Sequence, residues 1–206
     1  MDYLPPLAVQ YLPVLAEEIR RGWSDAPLRS SFGAQVEQET CISLKSKRCW
    51  SPTTELKTDR EYGFGLGQIT ITSKFDNHAE ARKLDPSLKD WAWENRYNAQ
   101  YQLRALVLMN KFNFGKFGWA DSNTDRLAFM FAAYNGGLGG VLSDRKVCAV
   151  TPGCNPGVWF GNVEHTSKKA KVAVSGYGQS FFQINRGYVV NILTLRRAKY
   201  VKALEG

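Results

Sequence analysis

Two glutamates, Glu37 and Glu39, lie two positions apart in the stretch GAQVEQETC. A carboxyl group in such a stretch can be an ordinary surface charge or a working acid. The stretch is predicted to close an amphipathic helix, which turns by about 100° per residue. Leu28, Phe32 and Val36 then define a buried stripe that also contains Glu39, whereas Glu37 is predicted to face water.

The predicted position of Glu39 would change its acidity. Burial disfavours the ionised carboxylate, and the negative end of the helix dipole does the same, so both effects are expected to raise its pKa. A carboxyl that stays protonated near neutral pH is what a general acid requires. A buried glutamate satisfied by a salt bridge fits the helical wheel equally well. Glu37 is predicted to be a spectator that glutamine could replace at little cost.

The elements that must position these acids are predicted to be mostly helices. Asp25 can cap a helix that has Pro27 in its first turn and runs to about Thr40. Hydrophobic periodicity predicts two further helices, over 91–112 and over 180–204. A capping box at Ser122 opens a fourth, which ends at Asn135-Gly136-Gly137.

Two polar loop regions, 41–72 and 147–179, separate these helices. The segment GFGLGQITIT at 63–72 could hold a short strand or a loop that leads into a helix. Neither an internal repeat nor a linker is visible. The predicted fold class is therefore mainly α (α+β), a single globular domain with at most a small β element near 62–72. Residues 1–24 are predicted to be a helical extension packed on a domain that spans 25–206.

The amino-acid composition and net charge restrict the kinds of partner that the protein can bind. The chain has 206 residues, 44% of them hydrophobic, and a net charge of +8, which indicates a globular protein with an anionic partner. Membrane surfaces, acidic polymers and nucleic acid all qualify by charge. Neither a zinc-finger nor an RNP-like pattern occurs, and no basic run carries interleaved aromatic residues, so no nucleic-acid partner is expected.

The first 24 residues open with an acid and contain prolines, which is unlike a signal peptide or a membrane span. They are predicted to form an amphipathic helix that packs on the domain through Leu7, Tyr11, Val14 and Leu15. A role at a membrane surface is the alternative, without stable membrane anchoring.

The four cysteines form two local pairs, CISLKSKRC and CAVTPGC. Closeness in sequence favours the disulfides Cys41–Cys49 and Cys148–Cys154, although free thiols remain possible. A zinc site is disfavoured because neither pair has C-x-x-C spacing and both histidines lie far away. Disulfides would place the working protein in an oxidising compartment.

Four short motifs resemble those of lytic transglycosylases and goose-type lysozymes. Q-E-T at 38–40 is similar to the Q-E-S element that carries the family's catalytic glutamate. G-L-G-Q-I at 65–69 resembles the family's G-L-M-Q-I, and A-Y-N-G-G at 133–137 resembles its A-x-Y-N-A-G. Tyr188-Val189 is similar to the Tyr-Val of its C-terminal helix. Each motif alone is weak, but the four occur in the family's order.

The resemblance implies a lysozyme-like fold with an active-site groove and an enzyme that cleaves peptidoglycan. The substrate would be the β-1,4 bond between N-acetylmuramic acid and N-acetylglucosamine. Glu39 would be the general acid and base, and the product would carry a 1,6-anhydromuramic end. No cofactor and no metal would be needed. The implied substrate-binding residues are Gly65, Leu66, Gln68, Ile69, Tyr134, Asn135 and Tyr188. Gly67 and Gly136 depart from the family pattern, and both glycines would remove a side chain from the groove wall.

A hydrolytic muramidase is the alternative enzyme. An inverting lysozyme needs a second carboxylate that activates water, and Asp59 or Glu61 could supply it. Glu61 lies nearer the G-L-G-Q-I motif, although it could equally be a loop charge paired with Arg60 or a lysine. Two non-enzymatic classes also compete: a glycan-binding module that kept the groove, and a basic protein that binds membrane or nucleic acid.

The expected partner is the glycan strand of peptidoglycan, bound by a monomer. A basic wall-lytic enzyme without a signal peptide resembles a phage endolysin. Such an enzyme is made in the host cytoplasm and reaches the cell wall through holin pores, where its thiols could oxidise. A virion-associated or secretion-system lysin is the other expected source.

Overall fold

A computed structural model describes residues 3–168 and 171–206, most of which lie in helices. The α-helices are α1 (Pro6–Gly22), α2 (Ser30–Thr40), α3 (Asn77–Leu84), α4 (Ala99–Gly115), α5 (Asn123–Gly136), α6 (Leu138–Ala149), α7 (Phe181–Val190) and α8 (Val201–Leu204). The strands are β1 (Glu55–Lys57), β2 (Tyr62–Phe64) and β3 (Ile69–Ile71), which form an antiparallel sheet in the order β1-β2-β3. This architecture confirms the prediction of a mainly helical protein with a small β element, although β1 lies before the predicted 62–72.

The contacts between residues divide the chain into two compact units. The residues up to Lys111, together with Thr194–Gly206, form the first unit, and Phe112–Leu193 form the second. Helix α1 belongs to the first unit. The predicted division into 1–24 and 25–206 stays a prediction.

Helix α1 opens the first unit and follows the predicted helical pattern. Pro6 stands in its first turn, where a missing N–H costs nothing. Its buried face is set by residues at helical spacing, namely Ala8, Leu12, Leu15, Glu18 and Ile19. Of the predicted contact residues only Leu15 is fully buried, and the other three are partly buried. The helix therefore packs on a face that is rotated from the predicted one.

An ion pair fixes helix α1 to helix α4 within the first unit. The Glu18 carboxylate is 2% exposed and accepts two hydrogen bonds from Arg104, from Nε at 2.9 Å and from Nη2 at 3.0 Å. Gln100 donates a third at 3.0 Å. Because these donors satisfy its charge, Glu18 can be buried on the inner face of α1.

Helix α2 begins later than predicted. Its first residue is Ser30, and Leu28 has a φ of 46°, in the left-handed region. A non-glycine residue there is incompatible with a right-handed helix, so Asp25 and Pro27 precede the helix and do not cap it. The predicted end at Thr40 is confirmed.

The predicted helix over 91–112 also begins later. Trp93–Asn95 form a short 3-10 turn, and α4 starts at Ala99. Asn98 Oδ1 accepts a hydrogen bond from the Tyr101 N–H at 3.1 Å. An asparagine at this place stabilises a new helix start, which explains the break in the hydrophobic pattern.

The small sheet of the first unit packs on a hydrophobic cluster. Helix α3 packs against β3, and the cluster lies among the sheet, α3 and α4. Its buried members are Phe64, Ile69, Ala81, Leu88, Trp91 and Ala105. Strand β2 contributes Phe64 and β3 contributes Ile69, so residues on one side of the short strands are buried against the helices.

The second unit is built on helices α5, α6 and α7, with α5 in contact with both of the others. Helix α5 begins where predicted, and the N-cap hydrogen bond of the predicted capping box is present, since Ser122 Oγ accepts from the Asp125 N–H at 3.0 Å. It ends at Gly136, and the next residue, Gly137, has a φ of 81° that needs a glycine. Arg186 of α7 donates to the buried Asp144 of α6 at 2.9 Å, which ties these two helices together.

The predicted helix over 180–204 is not uniform. Helix α7 opens with a capping box between Ser180 and Gln183. A π turn at Asn191–Arg196 and a 3-10 turn at Arg197–Tyr200 follow before α8. A π turn carries an extra residue, so it changes which side chains of the later turns face inward.

The two predicted disulfides, Cys41–Cys49 and Cys148–Cys154, are both present. The first follows helix α2, and the second closes the loop after α6. No helix within 3–168 or 171–206 is both long enough and apolar enough to cross a bilayer.

Removing Arg104 tests how helix α1 is held. Arg104→Ala would leave the Glu18 carboxylate buried without its main partner, and we expect a loss of about 3 kcal/mol in the free energy of unfolding. Denaturant titration measures this loss. Arg20→Ala is the matched control, because its ion pair with Glu17 is exposed to solvent and should leave the midpoint nearly unchanged. Equal effects of the two variants would contradict the role of Arg104.

Candidate functional site

Glu39 lies in the last turn of helix α2 and is partly buried. The helix ends at Thr40, and the Cys41 N–H donates to the Glu37 carbonyl at 2.9 Å. Glu39 therefore lies where the helix ends and the loop closed by the Cys41–Cys49 disulfide begins. The Q-E-T motif predicts a glutamate at the end of a helix, which the structure has, and the role of Glu39 as the acid stays a prediction.

Glu37 is buried, so the prediction that it faces water is wrong. Its side chain is 1% exposed. It accepts hydrogen bonds from Arg196 Nη1 at 2.6 Å, from Lys199 Nζ at 3.0 Å and from the Tyr200 hydroxyl at 2.5 Å. Two cations and a phenol thus surround one carboxylate, which is how a buried charge is normally satisfied.

The helical wheel failed at Glu37 for two reasons. The wheel measured its angles from Leu28, and Leu28 lies outside the helix. In addition, every residue of α2 from Ser30 to Glu37 is buried, so that stretch has no water-facing side. The partners of Glu37 lie about 160 residues further along the chain, where local periodicity carries no information about them.

Tyr200 joins this cluster to the loop after helix α2. It is fully buried, its hydroxyl accepts the Trp50 Nε1–H at 3.1 Å, and it donates to Glu37. Burial first, and then the charge of Glu37, raises the pKa of Tyr200 above its ordinary value. A Cβ at Gly33 would lie 2.7 Å from the Tyr200 ring. Glycine at that position allows the close approach.

The loop residues 50–54 connect the end of helix α2 to the G-L-G-Q-I turn. The Trp50 N–H donates to Thr40 Oγ1 at 2.9 Å, next to Glu39. At the other end of the segment, the Thr54 carbonyl accepts the Gly65 N–H at 2.8 Å and Gln68 Nε2 at 2.9 Å. The structure therefore ties the Q-E-T and G-L-G-Q-I motifs to one short segment.

The G-L-G-Q-I turn has a demanding backbone. Gly65 has a φ of 79° and Gln68 a φ of 43°, and the latter is uncommon for a residue with a side chain. The Gln68 amide holds this conformation, since Nε2 also donates to the Gly65 carbonyl at 2.8 Å. The Leu66 and Ile69 side chains are buried, so any contact of theirs with a substrate would come from the backbone.

Gln102 is a functional candidate that the sequence analysis missed. It is fully buried in helix α4, and its Oε1 accepts the Leu66 N–H at 2.9 Å. Its Nε2 donates to the carbonyls of Pro52 and Arg96, each at 2.9 Å. One amide thus holds the turn and the 50–54 segment together. The feature of the sequence that could have indicated this role is a glutamine on the apolar face of the helix predicted over 91–112.

Glu61 lies in a tight turn before strand β2. The Thr58 N–H donates to the Glu61 carbonyl at 2.9 Å, and the Glu61 N–H donates to Thr58 Oγ1 at 3.2 Å. Its side chain is partly buried, while that of Asp59 is exposed. These hydrogen bonds fix the backbone at Glu61 and do not involve its carboxyl group. The role of Glu61 as a second carboxylate stays a prediction.

In the second unit, Tyr134 and Asn135 lie at the end of helix α5. Tyr134 is partly buried and Asn135 is exposed. Asn185 of α7 donates to the Ala132 carbonyl at 2.9 Å and to Asn135 Oδ1 at 3.2 Å. Tyr188, on the same helix, is only 3% exposed. The structure thus brings the A-Y-N-G-G turn against the helix that carries the Tyr-Val pair.

Glu37→Gln is expected to destabilise the protein strongly, contrary to what the sequence predicts. The amide keeps the shape but removes the charge that Arg196 and Lys199 neutralise, so we expect a loss of about 3 kcal/mol in the free energy of unfolding. Chemical denaturation followed by circular dichroism measures it. Glu80→Gln serves as the control, because its ion pair with Lys83 is exposed. A stability equal to that of the control would contradict the assigned role of Glu37.

Gly65 and Gln102 are expected to be coupled. A Cβ at Gly65 would lie 2.4 Å from the Gln102 amide, and the positive φ disfavours a side chain as well. We therefore expect Gly65→Ala to cost roughly 2 kcal/mol in the free energy of unfolding. In a double-mutant cycle with Gln102→Ala the two losses should be less than additive, because the vacated space accepts the new methyl group. Strict additivity would show that the two residues do not interact.

Within the described ranges, no three His, Cys, Asp or Glu side chains are grouped as a metal site would require. Comparison with known proteins adds no family assignment: no protein-family model matches the chain, and no curated protein matches it significantly.

Proposed function

We propose that this protein cleaves the glycan strands of peptidoglycan as a lytic transglycosylase, with Glu39 as the general acid and base. One observation carries the proposal. The loop segment 50–54 is hydrogen-bonded both to Thr40, next to Glu39, and to Gly65 and Gln68 of the second motif. Two motifs that resemble the family in sequence therefore also share a structural support.

The reaction follows from one carboxyl group. Protonated Glu39 donates its proton to the oxygen of the β-1,4 bond, and the bond from that oxygen to C1 of N-acetylmuramic acid breaks. The C6 hydroxyl of the same sugar then attacks C1 and loses its proton to the Glu39 carboxylate. The products are a 1,6-anhydromuramic end and a free N-acetylglucosamine hydroxyl, and the acid is regenerated. No water is consumed.

The surrounding residues support this role by holding the acid in place. The ion pairs of Glu37 fix helix α2, since Arg196 also donates to Gln38 at 2.9 Å. A rigid support keeps a catalytic group in its reactive position. In this proposal the Gln68 amide shapes the turn, because both of its Nε2 hydrogen bonds go to backbone carbonyls. The family resemblance alone assigns Tyr134, Asn135 and Tyr188 to sugar binding, and this assignment stays a prediction.

Charge and cysteine chemistry agree with a substrate in the cell wall. The lactyl and peptide carboxylates of peptidoglycan are anionic, which suits a chain with a net charge of +8. Two disulfides suit an oxidising compartment. Release of a phage endolysin from the host cytoplasm to the wall would bring its cysteines into such a compartment, and this source is part of the proposal.

Analysis of the products tests the reaction. Purified murein digested by the protein is expected to release muropeptides with 1,6-anhydromuramic ends, detected by mass spectrometry. Glu39→Gln should lower the rate at least about 100-fold, since it removes the proton that the leaving oxygen needs. Glu61→Gln should retain activity.

Two results would contradict this reaction. Reducing muramic ends together with an inactive Glu61→Gln variant would establish hydrolysis instead. A Glu39→Gln protein that still clears murein at the parental rate would exclude Glu39 as the acid. Glu80→Gln, an exposed change on α3, is the control for nonspecific effects on activity.

A further inference from the structure

A polar and aromatic cluster of the first unit is built from residues that belong to none of the four motifs. It consists of Glu55 and Tyr62 from strands β1 and β2, and of Trp93, Arg96 and Tyr97 from the segment before helix α4. We call it the Trp93 cluster. Trp93 is 40% exposed although it packs on Phe64. A large indole with this much exposed surface is a feature of recognition sites.

Hydrogen bonds order the Trp93 cluster in advance. Glu55 Oε1 accepts the Tyr62 hydroxyl at 2.5 Å and also accepts the Tyr97 hydroxyl. Arg96 donates to the Tyr97 hydroxyl and to the Trp93 carbonyl, each at 3.1 Å. Its guanidinium carbon lies 4.4 Å from both the Trp93 and the Tyr97 ring centres. Side chains that are already fixed lose little entropy when a ligand binds.

The ordered cluster still has unused hydrogen-bonding groups. Within 3–168 and 171–206, no residue donates to Glu55 Oε2 and none accepts from the Trp93 Nε1–H. The buried Nε of Arg96 has no hydrogen-bond partner there either. The cluster therefore offers a ligand one strong acceptor and an indole donor beside exposed aromatic surface.

The charges of the cluster select the chemistry of the ligand. Hydrogen bonds from Tyr62, and then from Tyr97, lower the pKa of Glu55 below its ordinary value, so this carboxyl is ionised at neutral pH. The Glu55 carboxylate and the Arg96 guanidinium balance each other, so the cluster has no net charge that would favour an anion. A neutral ligand rich in hydroxyl groups can donate to Glu55 and accept from the indole, while its C–H groups pack on the rings. Sugars have this combination.

We propose that the Trp93 cluster binds a neutral N-acetylglucosamine unit of a glycan strand and not its anionic muramic neighbour. The identity of the glycan rests on the proposed function, whereas the preference for a neutral sugar rests on the cluster alone. The cluster holds the strand and takes no part in bond cleavage. It would add a contact to the polymer beyond those at Glu39, so long strands would bind more tightly than short ones.

Titration of the ¹⁵N-labelled Glu39→Gln protein with chitotetraose, a neutral tetramer of N-acetylglucosamine, tests the site. The chain has six tryptophans, and a Trp93→Phe variant assigns the Trp93 indole signal in the NMR spectrum. That signal is expected to shift in a saturable manner. Glu55→Gln should weaken the binding roughly tenfold, since it removes a charged acceptor, and Tyr97→Phe should weaken it as well.

Phe112→Ala is the matched control, because Phe112 is an exposed aromatic residue outside the cluster, and it should leave the affinity unchanged. Thermal melts of each variant separate lost binding from lost folding. A Trp93 signal that does not respond to chitotetraose overturns the proposal. Parental affinity in folded Glu55→Gln and Tyr97→Phe proteins overturns it too. Failure of the transglycosylase proposal would show separately, as lysis that does not depend on Glu39.

Discussion

The buried carboxylate of Glu37 is the constraint on which the first unit depends. A charge that is 1% exposed must be neutralised where it lies, and its cationic partners Arg196 and Lys199 come from the end of the chain. The ion pairs of Glu37 therefore fix helix α2 to the C-terminal segment. Tyr200 extends the same cluster to Trp50. The helix that carries the candidate acid is thus held by residues that take no part in the chemistry.

Backbone polar groups impose the second constraint. The G-L-G-Q-I turn needs positive φ values and leaves N–H and carbonyl groups that regular structure cannot pair. Gln102 and Gln68 satisfy these groups with side-chain amides. Because Gln102 is buried and makes three hydrogen bonds, the turn and the loop segment 50–54 behave as one structural piece. A precise turn is useful where a polymer must be bound in one register.

Catalysis and binding are assigned to different chemical groups in the two proposals. In the first proposal Glu39 needs a proton and a fixed position, and its place in the last turn of helix α2 supplies the fixed position. The Trp93 cluster needs exposed rings and a carboxylate that stays ionised, and the two phenol hydroxyls at Glu55 favour ionisation. The two proposals therefore require opposite protonation states of two glutamates in the same unit.

The sequence by itself determined the mainly helical class, the small β element, both disulfides and the helix that opens at Ser122, because these depend on local spacing and capping. It also located the short motifs that define the candidate site. It could not determine the start of helix α2 or the environment of Glu37, since a left-handed Leu28 and cations about 160 residues away decide them. Only the tertiary structure decided these features, together with the role of Gln102 and the Trp93 cluster. Burial and ion pairing between distant segments leave no periodic signal in the chain.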